Sequence, residues 1–521
     1  MYHTKFLCLT LCAVTVNSAR ILAWFPTPSI SHQVVFRPLT QELAKRGHEV
    51  VVITTDPVFP PGQAPKNLTE IDLHDMSYNY WRKIVFSDKT TTGHTDDHRS
   101  QIRQFIFGLS KIFEMQLNNK EVQKVLRENK FDLLIFEYLC RAGLALPHVL
   151  KVPVILISSL GGYGEMYDIM GAPSRPPLKY PTALSQKTNN LDLTDKITEL
   201  YNNYEFGNIF ESVTEIDMIV ARKYFGNDIP DFKDLKNNVD LLFLNVNPIW
   251  ELNRPVPPGI VYMGGMHQKE EKKLPEELKF YLDSSKHGVI YISYGTNVSP
   301  SLLPAEKIQL LIKVFSKLPY DVLWKWDKDE LPGKTDNIRI SKWLPQSDLL
   351  RHPNVKLFIT QGGLQSTDEA ITAGVPLLGM PMLGDQWYNV EQYVRHKIGL
   401  RADMESLTEK QFKNSIETLI KDESYRKNIV KLRSIMHDQP QTPLERAVWW
   451  TEYVLRHGGA KHLRAPAANM TWAEYLDVEL LAALAGIALT GIIILSVIVS
   501  LLYKMNVART IKLKISRLSS F

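Results

Sequence analysis

Residues 358–386 read FITQGGLQSTDEAITAGVPLLGMPMLGDQ, and the rest of the 521-residue chain is organised around them. An apolar strand ends over Leu357–Thr360. Gly362 and Gly363 then permit a tight turn and close approach of backbone to a ligand. Ser366 and Thr367 are suited to cap a helix that carries Glu369 in its first turn. A second buried strand, Pro376–Pro381, leads into a loop holding Asp385 and Gln386. Strand, glycine turn, helix and strand in this order make a βαβ unit with polar groups after each strand. Open α/β sheets bind ligands at that carboxyl edge, and the free N–H groups of a helix N-terminus favour phosphate. By themselves these residues indicate a phosphate-bearing ligand and no more.

Length and charge set the frame. A chain of 521 residues exceeds one ordinary core, so two domains are the default. With 44% apolar and 22% charged residues it is a folded protein. The net charge of +5 is unevenly placed. Residues 504–521 hold Lys504, Arg509, Lys512, Lys514 and Arg517 with no acid, and Lys5 adds one charge before Ala19. Removing those six from +5 leaves residues 20–503 at −1, with no basic body to attract nucleic acid. Residues 1–19 read as a cleaved secretory signal: Lys5, an apolar run from Phe6 to Val16, then small residues at Ser18 and Ala19. Cys8 and Cys12 leave with it. Cys140 then remains alone, so no intrachain disulfide forms. Leu480–Tyr503 has 24 residues without a charge, a helix of about 36 Å against a hydrocarbon core of roughly 30 Å. The basic tail after it predicts a single-pass type I protein with the tail cytosolic.

Arg20–Phe25 is an apolar run suited to a buried strand. The loop Pro26–Ser31 leads to a helix that Gly47-His48 ends, and Val50–Thr55 is a β-branched second strand. His32 opens that helix. A lone histidine is ordinarily structural, but this one stands at the carboxyl end of the first strand. The helix N-terminus disfavours imidazolium there, and a neutral imidazole can accept a hydroxyl proton. Tyr78, Tyr80, Trp81, Phe86, Phe105, Phe107 and Phe113 form an aromatic-rich region, more in keeping with core than with a ligand wall. Phe131–Phe136 is a short buried strand with Glu137 at its edge, and Val152–Ser158 is another. Gly161-Gly162-Tyr163-Gly164 lacks the spacing of a dinucleotide loop. Residues 171–260 read as mostly helical, with breaks at Pro173–Pro177 and Pro255–Pro258. Gly288–Gly295 opens a second sheet and ends in Gly295-Thr296, again a turn fit to approach phosphate. Strands over Asp321–Asp327 and Asn337–Ser341 follow, then Trp343-Leu344-Pro345-Gln346. An indole there can stack on a base that Gln346 hydrogen-bonds. Asp327-Lys328-Asp329 reads as a solvated turn, and no His/Cys cluster has metal-ligand spacing.

The 358–386 stretch resembles the signature of the UDP-glycosyltransferases and meets its fixed positions from Phe358 through Gln361, Gly363, Ser366, Glu369, Pro376 and Pro381 to Asp385 and Gln386. Resemblance extends over most of the chain, and the wording FITQGGLQSTDE is closest to insect-type members. It implies an α/β protein of two facing Rossmann-like, doubly wound domains (the GT-B architecture) with a C-terminal transmembrane helix. The expected layout is an acceptor-binding domain over 20–265, a UDP-sugar-binding domain over 266–440, a helix over 441–466 returning to the first domain, a span over 480–503 and a cytosolic tail over 504–521.

The same resemblance makes His32 the catalytic base. It sets Glu137 where relatives commonly carry Asp, orienting that histidine. Trp343 and Gln346 would hold uridine, and Glu369 the ribose hydroxyls. Gly295, Thr296, Gln361, Gly363 and Ser366 would meet the diphosphate, and Asp385 with Gln386 the donated sugar. Gln361 stands where many relatives have His, and Gln365 where Asn is common. The expectation is inverting transfer of a sugar, glucose by the insect-type wording, to a small lipophilic acceptor such as a phenol or steroid-like alcohol, without cofactor or metal. This is conjugation or detoxification chemistry in the endoplasmic reticulum membrane with lumenal catalytic domains, and it leaves room for a homo-oligomer. Three alternatives stay open: glucuronosyl transfer, epimerisation of a UDP-sugar, and a binding protein that has lost catalysis.

Overall fold

The computed structural model describes residues 18–85, 98–128, 130–172 and 177–518. Most of the expected leader, and Phe86, lie outside them. Of the described residues, those up to Ala468 form one compact unit, and those from Asn469 to Leu518 a second.

The first unit holds two sheets in which every strand pairing is parallel. The first sheet comprises β1 (Arg20–Phe25), β2 (Glu49–Thr54), β3 (Leu68–Asp72), β4 (Leu133–Glu137), β5 (Val154–Ser158), β6 (Val239–Leu244) and β7 (Ile260–Tyr262). Its order is β3-β2-β1-β4-β5-β6-β7. The second comprises β8 (Val289–Ser293), β9 (Asp321–Lys325), β10 (Ile338–Ser341), β11 (Val355–Thr360), β12 (Leu377–Gly379) and β13 (Gly399–Arg401), ordered β10-β9-β8-β11-β12-β13. Strands such as LLIFE and VIYIS are buried along their whole length, as parallel strands covered by helices on both faces must be. Their alternate side chains feed separate layers. Ile21, Ala23 and Phe25 join one core, while Leu22 and Trp24 join another that continues to Val289 and Tyr291 of the second sheet.

Seven of the helices bear on function: α1 (Ile30–Lys45), α2 (His98–Leu117), α3 (Leu193–Phe225), α4 (Leu364–Ala373), α5 (Gln386–Arg395), α6 (Pro443–His457) and α7 (Val478–Leu518). Thr442 and Glu445 form a capping box that starts α6. Ala447, Val448 and Val454 of α6 then bury in the same core as Val35 and Phe36 of α1. In the second unit, α7 runs well past the expected span, and Val478–Ser516 is long and apolar enough to cross a membrane.

Two readings need correction. The stretch 171–260 is not mostly helical throughout, because Val239–Leu244 is a fully buried strand of the first sheet. The helix after Gly363 begins at Leu364, with Gly363 itself as N-cap, so Ser366 and Thr367 lie inside it and Glu369 beyond its first turn. Thr367 cannot cap because its hydroxyl donates to the Gly363 carbonyl at 3.0 Å.

Candidate active site

In both sheets the strand order reverses direction beside the first strand, and that switch point is where open α/β sheets bind ligands. In the first sheet β1 and β4 are neighbours, with Trp24 opposite Phe136. The loop after β1 therefore meets the end of β4. Glu137 is the last residue of that strand and is fully buried. One carboxylate oxygen accepts the Thr27 N–H at 3.1 Å, and the other lies 2.7 Å from His32 Nδ1 in the first turn of α1. A carboxylate at that distance holds the imidazole proton on Nδ1, which leaves Nε2 as a bare lone pair. Nearby Cys140 is buried, and burial pushes its thiol well up, so it is no nucleophile at neutral pH.

The second switch point lies between β8 and β11, where Thr360 pairs with Ser293. Gly295-Thr296 follows β8, and Gln361-Gly362-Gly363 follows β11. Gly295 has φ +73°, and a Cβ there would lie 2.3 Å from Gln361 Nε2. Gly362 has φ +94°, and a Cβ would press to 2.7 Å on Val390. Only glycine fits either turn. Beyond them Gln346 gathers three partners. Its amide donates to Ser366 Oγ at 2.9 Å and to a Glu369 oxygen at 2.7 Å, while its oxygen accepts from Tyr291 at 3.0 Å. Burial raises the Glu369 carboxyl, and the Gln346 bond opposes that. Trp343 is 68% exposed, so it is not core. The Lys325 ammonium sits 4.8 Å over its ring and donates to the Gly295 carbonyl at 2.8 Å, and burial lowers the Lys325 pKa.

The two halves meet along a seam at these carboxyl edges. Asn297 Nδ2 lies 3.3 Å from Ser29 Oγ. Asp385 is pushed up to about 6 by burial, against the Asn389 hydrogen bond and the nearby His32, which both lower it. Asn389 ties the seam together: it donates to Asp385 Oδ2 at 2.8 Å and to the Gly362 carbonyl at 2.9 Å, and accepts from Trp250 of the first half at 2.9 Å. Gln386 spends its side-chain oxygen on the N–H groups of Met382 and Leu383, both at 2.8 Å, which shapes its own loop. Gln365, which stands where Asn is common, joins the seam. Its amide reaches across to the Ser159 carbonyl at 2.9 Å. Asp327 is occupied by the Ser301 hydroxyl and N–H. Of the aromatic-rich region, Trp81 and Phe113 are core, whereas Tyr80 and Phe107 line an open cleft of about 410 Å³.

Sequence reasoning missed Lys325, Asn389 and Tyr291. Lys325 alone left a trace, as a cation closing the apolar strand DVLWK.

Two facing Rossmann-like domains with polar groups gathered at apposed switch points define a GT-B glycosyltransferase. Residues 19–514 match the family described as UDP-glucoronosyl and UDP-glucosyl transferase, and the chain belongs to it. It is 35% identical to the ecdysteroid UDP-glucosyltransferase of Spodoptera littoralis nuclear polyhedrosis virus, across 89% of this chain and 94% of that one. It is 33% identical to UDP-glucosyltransferase 2 of Dactylopius coccus, across 90% of each. Among solved structures, UGT89C1 of Arabidopsis thaliana complexed with UDP-L-rhamnose superposes with a TM-score of 0.57 over 85% of this chain and all of that one, at 15% identity. The protein is therefore an enzyme of glycosyl transfer, and the resemblance to insect-type members stands.

Proposed function

We propose that this enzyme transfers glucose from UDP-glucose, with inversion, to a hydroxyl of a small lipophilic acceptor. The observation that carries the reading is the buried His32–Glu137 pair at 2.7 Å, set beside Asp385 of the opposite half. His32 Nε2 takes the acceptor's hydroxyl proton while that oxygen bonds to the anomeric carbon. The bond from that carbon to the diphosphate breaks, and UDP leaves with the electron pair. Glu137 stabilises the imidazolium so formed, without itself taking the proton. The free N–H groups at the start of α4 and the Lys325 ammonium meet the charge developing on the departing diphosphate, and no metal ion is invoked. Trp343 stacks on uracil, Glu369 receives the ribose hydroxyls once Gln346 yields, and Asp385 receives those of the sugar while the Gln386 amide N–H donates to a sugar oxygen.

A neutral hexose suits this end of the seam, because Asp385, Gln386 and Asn389 offer no cation for a glucuronate carboxylate. Relatives named ecdysteroid UDP-glucosyltransferases support a steroid-like alcohol among the acceptors. We further read α7 as a membrane span with its basic end cytosolic and the catalytic unit in the lumen of the endoplasmic reticulum.

The test is UDP release from UDP-glucose and from UDP-glucuronate against a panel of phenols and steroid alcohols. Release from UDP-glucose that requires an acceptor is expected. Release without acceptor, or a preference for UDP-glucuronate, would overturn the assignment. His32→Ala should lower turnover by about 10²–10⁴ while UDP still binds, and unchanged turnover would remove His32 from the mechanism.

A further inference from the structure

Helix α5 meets the acceptor half along one stripe. Trp387, Glu391 and Arg395 follow one another at i, i+4 and i+8, so they share a face. All three bear on one stretch of irregular chain, residues 184–189, which runs on to Asp192, the N-cap of α3. The Trp387 ring stands 4.8 Å from that of His98, at the start of α2, and His98 Nε2 lies 3.3 Å from the Leu184 carbonyl. One Glu391 oxygen accepts the Thr188 and Asn189 N–H groups at 3.0 and 3.1 Å, and the Asn189 side-chain amide at 3.0 Å. That amide also donates to the Glu391 carbonyl at 2.7 Å. Arg395 donates to the Thr188 carbonyl at 3.1 Å. Arg401 of β13 donates to the Gln186 carbonyl at 3.2 Å and to the other Glu391 oxygen at 3.3 Å. From its own half the stretch is held by Glu199, whose carboxylate accepts the Lys187 N–H at 3.0 Å.

Glu391 is buried, and a buried carboxylate is costly unless it is paired and hydrogen-bonded. Here its partners are main-chain N–H groups that an irregular segment would otherwise leave to water. Bonds to an ionised acceptor are about twice as strong as neutral ones, so the stretch is a strap fastened to the donor half. A second tie lies elsewhere on the same helix, where Asn389 and Tyr388 hydrogen-bond Trp250 of the first half. One tie lets two bodies pivot about it, whereas two fix the angle between them. Asp385 is the N-cap of α5 and Gln386 its first residue, so that angle decides where the sugar stands relative to His32. We infer that Glu391 is a positioning residue for transfer: by fastening the strap 184–189 to the flank of α5, it holds the acceptor half, and His32 with it, in register with the sugar-bearing end of that helix. This rests on the roles proposed above for His32 and Asp385. A misplacement of about 1 Å caused far from the reacting atoms can cost on the order of 10²-fold in rate.

The experiment compares the full chain in detergent with Glu391→Ala and, separately, Asn189→Asp. The second sets a like charge against Glu391 from a partly exposed loop position, so it keeps the test alive should Glu391→Ala fail to fold. Steady-state UDP release is measured against phenols and steroid alcohols with UDP-glucose and with UDP-glucuronate, and the variants are run on the donor that the wild type uses. A wrong donor assignment thus leaves this comparison standing, while no turnover with either donor would overturn both readings. Expected is a kcat lower by about tenfold to a hundredfold, with the KM for the UDP-sugar and the affinity for free UDP within about twofold of wild type. Brief trypsin treatment reads the strap itself, and cutting after Lys187 should be severalfold faster in Asn189→Asp, because cleavage follows local opening. Unchanged kcat in a folded variant would overturn the proposal. So would UDP affinity that falls in step with kcat, since Glu391 would then only support the donor half, or cutting at Lys187 that Asn189→Asp leaves unaltered.

Discussion

Replacing Glu137 by Gln isolates the role of one charge. The side chain keeps its length and can still accept the Thr27 N–H, so the end of β4 keeps its shape. What is lost is the negative charge 2.7 Å from His32 Nδ1. A hydrogen bond to a charged group contributes about 1.5–3 kcal/mol against 0.5–1.5 for a neutral one, so the smallest expected loss is about 1 kcal/mol. As an upper bound, two charges about 4 Å apart interact by about 4 kcal/mol at an effective dielectric constant near 20. That interaction grows as the imidazolium forms, so it lowers the barrier more than the ground state. At about 1.4 kcal/mol per tenfold, Glu137→Gln should reduce kcat between about fivefold and about 700-fold, with the KM for UDP-glucose little changed. Glu137→Asp should also lose rate, because the present carboxylate already closes the hydrogen bond and a shorter one opens it. The assay is steady-state UDP release on purified variants, with UDP affinity by calorimetry and a melting curve to show that each is folded. A Glu137→Gln enzyme that is folded, binds UDP and keeps its full kcat would refute the proposed support of His32.

Three further outcomes concern the donor side and a buried acid. Trp343→Ala should raise the KM for the UDP-sugar about 5–150-fold, the equivalent of the 1–3 kcal/mol per base of aromatic stacking. Competition by free UDP would weaken in parallel, and unchanged competition would remove Trp343 from the uridine site. Lys325→Met should raise the same KM about tenfold or more, a charge-assisted contact to phosphate being worth at least about 1.5 kcal/mol; an unaltered KM would leave Lys325 only its bond to Gly295. Burial raises the Asp368 carboxyl to about 8 from an ordinary 3.8. The folded state therefore holds a proton that the unfolded chain has released, and this contribution is fully present below about pH 4 and is lost as pH rises toward 8, at no more than about 1.4 kcal/mol per unit. Asp368→Asn should flatten that part of the stability curve in chemical denaturation, and parallel curves for the two proteins would contradict the assignment.

The chain's pattern shows some of this readily, and the failures have physical causes. β1, β2, β4, β5, β8 and β11 are continuous apolar runs, and runs of that kind betray a parallel sheet covered on both faces. The three-residue strands β7, β12 and β13 are too short to carry any period. β3 reads LTEID with mixed exposure because it is an edge strand, and β6 is hidden between helical neighbours. Ser366 and Thr367 look like caps by type, but one hydroxyl turns back to Gly363 and the other meets Gln346.

Sites divide along the same line. His32 and Glu137 are 105 residues apart, yet the order 3-2-1-4 brings the ends of β1 and β4 side by side, so their meeting is written into the topology of one sheet. No strand order says how two sheets face each other. Asn389 takes its meaning from Trp250, 139 residues away in the other half, and Gln365 from Ser159. Such polar contacts have no local period, because their partners are chosen by the packing of one finished domain on another. Residues serving one sheet's switch point can thus be found by pattern and topology together, while those that join the two halves, and so set where His32 stands relative to Asp385, emerge only from the assembled fold.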